Sequence, residues 1–225
     1  MSWVRKQMVW IMLALVVVAF APIALWAYDY HIAPSAENDE IRQESTQEYE
    51  EYSGSITVPA GAEIDFALDE VEAALPPAVE GDQIAWLTLR LEDGALSAKV
   101  LEGIGNKVLD QGVIGHYPVT DSPCGEGNFA VSAHRTTKGA WFRNIDTWPA
   151  GTRIDVEDVR TGESCTYILQ SVTHVIDVGS PEDHQALLTN PPMAGVAAGM
   201  PIMTLVSCGV NDTDIRVVRY AEREE

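Results

Sequence analysis

The sequence predicts a mainly β domain over residues 81–225, arranged as a barrel or a sandwich. Short runs rich in β-branched and aromatic residues are separated there by Gly, Pro, Asp and Asn. Several runs repeat apolar residues at every second position, which is the period of a strand with one buried face. Many short strands joined by tight turns are typical of closed all-β folds. The predicted strands cover residues 84–91, 95–101, 129–133, 153–159, 166–178, 202–206 and 215–220.

The N-terminal segment predicts a membrane anchor. Residues 8–28 are almost wholly apolar and carry no charged side chain, and about 20 such residues span a bilayer as a helix. Arg5 and Lys6 precede the run and Asp29 follows it, so residues 1–7 are expected on the cytoplasmic side and the rest of the chain outside the cell. A cleaved signal peptide is the alternative, but its apolar region is usually shorter, about 7–15 residues.

Residues 29–80 are predicted to form an acidic extracellular stalk. Between Ala36 and Tyr52 most side chains are charged or polar, and such a segment buries too little apolar surface to offset the entropy of ordering it. We therefore expect an extended stalk that is helical in places. Residues 64–75 place apolar side chains at helical spacing, so a short helix is predicted there, ended by the pair of prolines that follows.

The charge and the cysteines exclude two classes of site. The formal net charge is −20, from 14 basic and 34 acidic residues, whereas the recognition of nucleic-acid phosphates needs a basic surface. We interpret the acidity as that of a solvated exterior and predict no nucleic-acid partner. The three cysteines lack the short Cys and His spacings of a metal chelate, and no dense cluster of oxygen ligands indicates calcium. We predict no required metal and no cofactor.

A cysteine, a histidine and an arginine lie at the ends of predicted strands. Cys208 ends the apolar run that begins at Thr204, His134 follows the run 129–133, and Arg216 opens the last strand. A thiol supplies a nucleophile, an imidazole transfers protons, and a guanidinium stabilises an oxyanion. These three groups together indicate acyl transfer.

Four short motifs precede Arg216 in the chain. They are Gly115-His116-Tyr117-Pro118, Gly125-Glu126-Gly127-Asn128, Ala133-His134-Arg135-Thr136-Thr137 and Thr204-Leu205-Val206-Ser207-Cys208. In their order, spacing and context the chain resembles the sortases, the membrane-anchored cysteine transpeptidases of Gram-positive surfaces. Within that family it is most similar to the class E sortases of actinobacteria, and the resemblance covers about residues 84–220.

The resemblance implies an eight-stranded β-barrel that recognises a C-terminal sorting signal of the LPxTG or LAxTG type. Cys208 would attack the carbonyl between Thr and Gly of that signal and form a thioacyl intermediate. His134 would act as general acid and base, and Arg216 would hold the substrate and stabilise the oxyanion. An amine of a peptidoglycan precursor, or of a pilin lysine, would then resolve the intermediate.

Two positions depart from the pattern of the family. Ser207 stands where the family usually has threonine, and Ala133 stands where a glycine is common. Serine keeps the hydroxyl, so we expect retained chemistry with a slightly altered pocket. Together with Thr204, these two residues are predicted to bind the substrate.

Other histidines and a second arginine compete for these roles. We interpret His116 as structural or at the rim of the cleft, and His174 and His184 as surface residues. Arg219 is the alternative to Arg216, but strand side chains alternate between faces, so residues three apart cannot both point at the cysteine.

Cys124 and Cys165 remain once Cys208 is assigned as the nucleophile. Outside the membrane a pair of cysteines can oxidise, so either a disulfide between them or two separate thiols is expected.

The leading functional hypothesis is a transpeptidase that joins secreted proteins to the cell wall. A pilin-polymerising sortase and a hydrolytic cysteine peptidase, in which water resolves the acyl-enzyme, are enzymatic alternatives. A non-catalytic extracellular β-barrel that binds a partner is an alternative of another class, and the presence of Cys208, His134 and Arg216 argues against it.

Overall fold

The computed structural model describes residues 21, 33–55, 75–92, 94–177, 200–209 and 214–225. The helices are α1 (Ala33–Ser55) and α2 (Asn106–Leu109). The strands are β1 (Gln83–Leu91), β2 (Gly94–Glu102), β3 (Ile114–His116), β4 (Asn128–Ser132), β5 (Arg153–Asp158), β6 (Ser164–Asp177), β7 (Ile202–Cys208) and β8 (Ile215–Arg223).

The eight strands close into a barrel in the order β1-β2-β3-β4-β7-β8-β6-β5. Most neighbours are antiparallel, but β2 runs parallel to β3, and β4 runs parallel to β7. Closure gives every strand two hydrogen-bonded neighbours and leaves no free sheet edge. The predicted eight-stranded barrel is therefore confirmed, and the sandwich alternative is excluded.

All eight strands contribute side chains to one core inside the barrel. Met203 and Leu205 of β7 point into it, as do Val217 and Ala221 of β8. A second, smaller cluster lies on the opposite face of β4, β7 and β8, which we call the outer face. It consists of Tyr117, Ala130, Ile176, Ile202, Val206, Val218 and Tyr220. These three strands are thus packed on both sides, and their side chains alternate between the barrel core and the outer face.

The strand that the sequence pattern did not reveal is β3. It has only three residues, all buried, so it is too short to show an alternating pattern. A Cβ at Gly115 would overlap the carbonyl oxygen of Gly103, and β3 therefore needs a glycine where the chain leaving β2 passes close to it. Because β3 joins β2 to β4, the barrel closes through this short element.

The acidic segment predicted as an extended stalk forms α1 and packs on the barrel, so that prediction is wrong for residues 33–55. Two nitrogens of Arg42 donate to the backbone carbonyls of residues 139–140 at 2.7 and 2.8 Å. The rings of Tyr49 and Tyr52 lie 5.3 and 5.9 Å from the ring of Trp86. The composition argument considered only apolar burial, whereas α1 binds through hydrogen bonds and aromatic faces.

The other predicted N-terminal elements lie outside the described residues. This applies to the anchor over 8–28, apart from Ala21, and to the helix over 64–75, apart from its last residue. In the described part of the chain, no helix combines the length and apolar character needed to cross a bilayer.

Cys124 and Cys165 are joined by a disulfide. Cys124 lies in the loop between β3 and β4, and Cys165 is the second residue of β6, so the bond ties the loop that precedes β4 to a distant strand. The two cysteines are 41 residues apart, and in the chain-entropy model a loop of that length corresponds to about 4 kcal/mol of stabilisation. Of the two alternatives expected from the sequence, the structure contains the disulfide.

Candidate active site

Cys208 and Arg216 face each other across the ends of two neighbouring strands. Cys208 is the last residue of β7, Arg216 is the second residue of β8, and the antiparallel register pairs them directly. Directly paired residues of antiparallel strands lie about 4.5–5.5 Å apart at Cα and project their side chains to the same face. The thiol and the guanidinium therefore share the outer face.

His134 reaches the same place from β4, on the other side of β7. The parallel register pairs Ser132 with Val206, and the N–H of Ala133 donates to the carbonyl oxygen of Val206 at 3.2 Å. His134 lies two residues beyond the last pair of this register, and Cys208 lies two residues beyond Val206 on β7. His134 follows Ser132 by two positions, so it projects toward the outer face as well.

Arg219 lies on the opposite face of β8, as the alternation of strand side chains predicts. It is paired with Leu205, a residue of the barrel core, and is only 1% exposed. Its guanidinium donates to the backbone carbonyls of Ile145, Trp148 and Gln170. Arg219 therefore fastens the loop after β4 to the barrel and is remote from the thiol.

The imidazole of His134 is hydrogen-bonded to a carboxylate. Its Nε2 lies 3.1 Å from Oδ1 of Asp110, the residue that caps the C-terminal end of α2. The side chain of His134 is 26% exposed and that of Asp110 is 56% exposed, so the pair is accessible to solvent. Sequence reasoning missed Asp110 because it precedes the histidine by 24 residues and belongs to none of the motifs.

Tyr117 is a second residue of the centre that sequence reasoning left without a role. Its side chain is buried and hydrogen-bonded to Ser132. Burial raises the pKa of Tyr117, while the Ser132 bond and the charge of Arg216 oppose that rise and Cys208 adds to it. The phenol is therefore a close neighbour of both groups. The signal available in the sequence was the Gly-His-Tyr-Pro motif that contains it.

Thr204, Ser207 and Ala133 are all buried, and the last two directly precede Cys208 and His134 in the chain. The Thr204 hydroxyl donates to the side-chain oxygen of Asn128 at 2.7 Å, and the Ser207 hydroxyl donates to the backbone carbonyl of Ala133 at 3.2 Å. In the structure these residues join β7 to β4 and do not face solvent. Their binding of substrate stays a prediction, and their hydrogen bonds hold β7 against β4.

Comparison with known proteins decides the family. The family model described as Sortase domain matches residues 89–224, which is more than half of the 225 residues. The chain belongs to the sortase family.

Its relatives include class E members from Streptomyces. Sortase SrtE1 of Streptomyces coelicolor is 32% identical over an alignment of 115 residues, and the match covers 48% of this chain and 31% of that relative. This sortase thus spans about a third of the length of the curated relative it matches.

Two solved structures extend the likeness. The sortase E T196V mutant of Streptomyces avermitilis is 26% identical, with a TM-score of 0.55 over 65% of this chain and 91% of that one. Sortase E1 of S. coelicolor with a tripeptide in the active site is 27% identical, with a TM-score of 0.54 over 64% and 90%. The resemblance to class E actinobacterial sortases is confirmed.

The other histidines of this sortase lie apart from the centre or outside the described residues. His116 is buried, with Nδ1 2.8 Å from a carboxylate oxygen of Glu102 and Nε2 2.9 Å from the carbonyl oxygen of Asp121. It therefore ties the end of β2 to the loop after β3. His174 is half-buried against a tyrosine of β8, and burial lowers its pKa, so it is more enclosed than the predicted surface residue. His184 lies outside the described residues.

The side chains gathered at these strand ends include the chemical groups that acyl transfer uses. Cys208 is a free, partly exposed thiol, paired with Arg216 of β8, and the imidazole of His134 follows the end of β4 by two residues. These groups supply the attack on a carbonyl, the proton transfers and a positive charge for the oxyanion. Within the described ranges, no group of three or more His, Cys, Asp or Glu residues is arranged to hold a metal ion.

Proposed function

We propose that this sortase is a membrane-anchored cysteine transpeptidase. It cleaves a C-terminal sorting signal of the LPxTG or LAxTG type between Thr and Gly, and it transfers the protein to an amine of a cell-wall precursor. The observation that supports the proposal is that Cys208 ends β7 opposite Arg216 of β8, while His134 follows the end of β4, the other neighbour of β7, by two residues. The likeness to a sortase E1 solved with a tripeptide in its active site supports a peptide substrate.

In the first half-reaction, His134 is protonated and Cys208 is a thiolate, which attacks the carbonyl carbon of the Thr residue. A C–S bond forms, and the carbonyl oxygen becomes an oxyanion. The guanidinium of Arg216 stays charged throughout and stabilises this oxyanion. The C–N bond to Gly then breaks, and the leaving amine takes a proton from His134. The product is a thioacyl enzyme and a peptide that begins with Gly.

In the second half-reaction, an incoming amine attacks the thioacyl carbonyl. Its proton passes to His134, the C–S bond breaks, and Cys208 leaves as a thiolate. A new amide bond has formed, and the enzyme has returned to its starting protonation state. Water in place of the amine would give a carboxylic acid, which is the hydrolytic alternative.

We propose that the catalytic domain works outside the cell, with residues 1–7 cytoplasmic and residues 8–28 crossing the membrane. The apolar run over 8–28 supports this topology. The Cys124–Cys165 disulfide supports it too, because disulfides persist in oxidising compartments. The partners are then secreted proteins that carry the sorting signal and a peptidoglycan precursor or pilin lysine that offers the amine.

The test uses the full-length protein in detergent and fluorogenic peptides with an LAxTG or LPxTG sequence. We expect cleavage between Thr and Gly, diversion of the product to an amide when triglycine is added, and no turnover by Cys208→Ala. Acid as the sole product in the presence of triglycine would favour the hydrolytic peptidase. Cleavage by Cys208→Ala would refute the thioacyl mechanism, and peptide binding without cleavage would favour the binding module.

A further inference from the structure

We propose that Asp110 is a positioning residue for His134. It holds the imidazole in the tautomer and the orientation that proton transfer needs, and it does so without touching the substrate. The inference rests on the proposed transpeptidase function, in which His134 moves the protons of both half-reactions.

The backbone of Asp110 is fixed by packed structure on both sides. Its N–H donates to the carbonyl of Asn106 at 3.0 Å and closes the last turn of α2, and this turn is anchored by the buried side chain of Val108. Two residues later, the carbonyl of Gly112 accepts a hydrogen bond of 2.7 Å from the indole N–H of Trp141. The carboxylate therefore projects from an anchored segment toward the histidine.

The histidine is held equally well on its own side. It follows Ala133, whose N–H donates to the carbonyl oxygen of Val206 at 3.2 Å, and the next residue, Arg135, is buried and paired with Asp146 at 2.7 Å. The charge of Arg135 is thus balanced by a carboxylate. Among the described residues, the charged and titratable groups of the site are Asp110 from the end of α2, Cys208 from β7, Arg216 from β8, Tyr117 and the neighbouring Arg135.

The chemistry of the Asp110 contact assigns a task to each ring nitrogen of His134. An ionised carboxylate only accepts hydrogen bonds, so Nε2, which faces it at 3.1 Å, carries a proton. In the neutral ring the lone pair is then on Nδ1, which has no hydrogen bond to a described residue. Nδ1 is therefore the atom that gives a proton to the leaving amine and takes one from the incoming amine. A carboxylate that orients a catalytic imidazole acts in the same way in hydrolytic triads.

The kinetic test compares Asp110→Ala and Asp110→Asn with a matched control, Asp39→Ala, in the full-length protein. The carboxylate of Asp39 bonds Arg42 at the same 3.1 Å, and its side chain is 61% exposed against 56% for Asp110. We expect Asp110→Ala to lower kcat about five- to tenfold and to leave KM within about twofold. Loss of an exposed ion pair changes an equilibrium by up to about a factor of five, and the misplacement of a catalytic group adds to the loss of rate. Asp110→Asn keeps an acceptor oxygen and should lose less. Asp39→Ala should retain the wild-type kcat.

A second measurement reads the tautomer directly and does not depend on turnover. Nitrogen NMR of histidine-labelled protein in alkaline buffer distinguishes a proton on Nε2 from one on Nδ1, and the His134 signal is assigned by its loss in His134→Gln. We expect Nε2–H in the wild type and in Asp39→Ala, and a mixture of tautomers in Asp110→Ala. If either kcat or the tautomer is unchanged in Asp110→Ala, the inference is overturned. A wild type without turnover would instead contradict the proposed function.

Discussion

Replacing Arg216 and Arg219 of β8 by lysine, one at a time, should affect different properties: the first should lower the catalytic rate and the second the thermal stability. Arg216 is paired with Cys208 on the outer face, whereas Arg219 is 1% exposed and donates to three backbone carbonyls. Lysine keeps the positive charge but loses the planar fork of donors. The two substitutions are chemically identical and lie three positions apart on one strand, so each is the control for the other.

The effect expected of Arg219→Lys follows from its three acceptors. Two terminal nitrogens of the guanidinium reach carbonyls on two separate segments, and a single ammonium cannot span them all. One buried carbonyl left without a donor costs about 1–3 kcal/mol. In a domain of about 150 residues, 1 kcal/mol changes Tm by about 2–4 °C. We therefore expect a Tm lower by about 2–12 °C, with a kcat near that of the wild type while the protein is folded.

Arg216→Lys should show the opposite behaviour. Its side chain lies at a strand end on the outer face, so the Tm should stay close to that of the wild type. The loss of a donor aimed at the oxyanion should lower kcat by a factor on the order of 10²–10³. Peptide kinetics and thermal denaturation of both variants make the comparison. A wild-type rate for Arg216→Lys, together with a crippled but fully stable Arg219→Lys, would refute the register on which the site is built.

Three further predictions test other parts of the structure. A thiol reagent should modify one residue per chain, Cys208, because the other two cysteines form a disulfide. Mass spectrometry identifies the modified residue, and modification of Cys124 would contradict the expectation. Arg42→Ala should speed hydrogen exchange in residues 136–140, because Arg42 binds the carbonyls of residues 139 and 140; unchanged exchange would show that α1 does not order that segment. Stability should fall as the pH rises from about 10 to 12, because burial and then Glu157 raise the pKa of Tyr52 from 10.0 to about 12. The folded state then keeps a proton that the unfolded chain has lost, so stability present below about pH 10 is lost toward pH 12. Tyr52→Phe should remove this part of the pH dependence in thermal denaturation, and an identical profile in both proteins would disprove the assignment.

The strands that carry Cys208 and Arg216 were predictable because their signals are local. Each is an apolar run with alternating faces, so Arg216 and Arg219 cannot both face the thiol, and the family resemblance selected Arg216. The motif around His134 identified the histidine, and the family resemblance supplied the number of strands. What the sequence could not supply is which strands are neighbours, since β4 and β7 pair across more than 70 residues.

The features that were missed depend on contacts between distant segments. β3 has three residues and no period to detect, yet it completes the barrel. Asp110 follows a helix of four residues, and its role depends on a contact with His134 that only the folded structure shows. Helix α1 looked too polar to pack, but Arg42 and two tyrosines bind it to carbonyls and to an indole that are remote in sequence.

The packing of the barrel explains why the three reactive groups lie on its outer face. The interior is filled by side chains from all eight strands, and Arg219 shows what becomes of a charged group that points the other way: backbone carbonyls occupy its donors. At the ends of β7 and β8 and just beyond β4, the side chains of Cys208, Arg216 and His134 are only partly buried. A slip of one residue in any of these pairings would turn a reactive side chain toward the core. Barrel closure fixes the register of β7 against both neighbours at once, so the structure that makes the fold stable also aligns the thiol with its imidazole and its guanidinium.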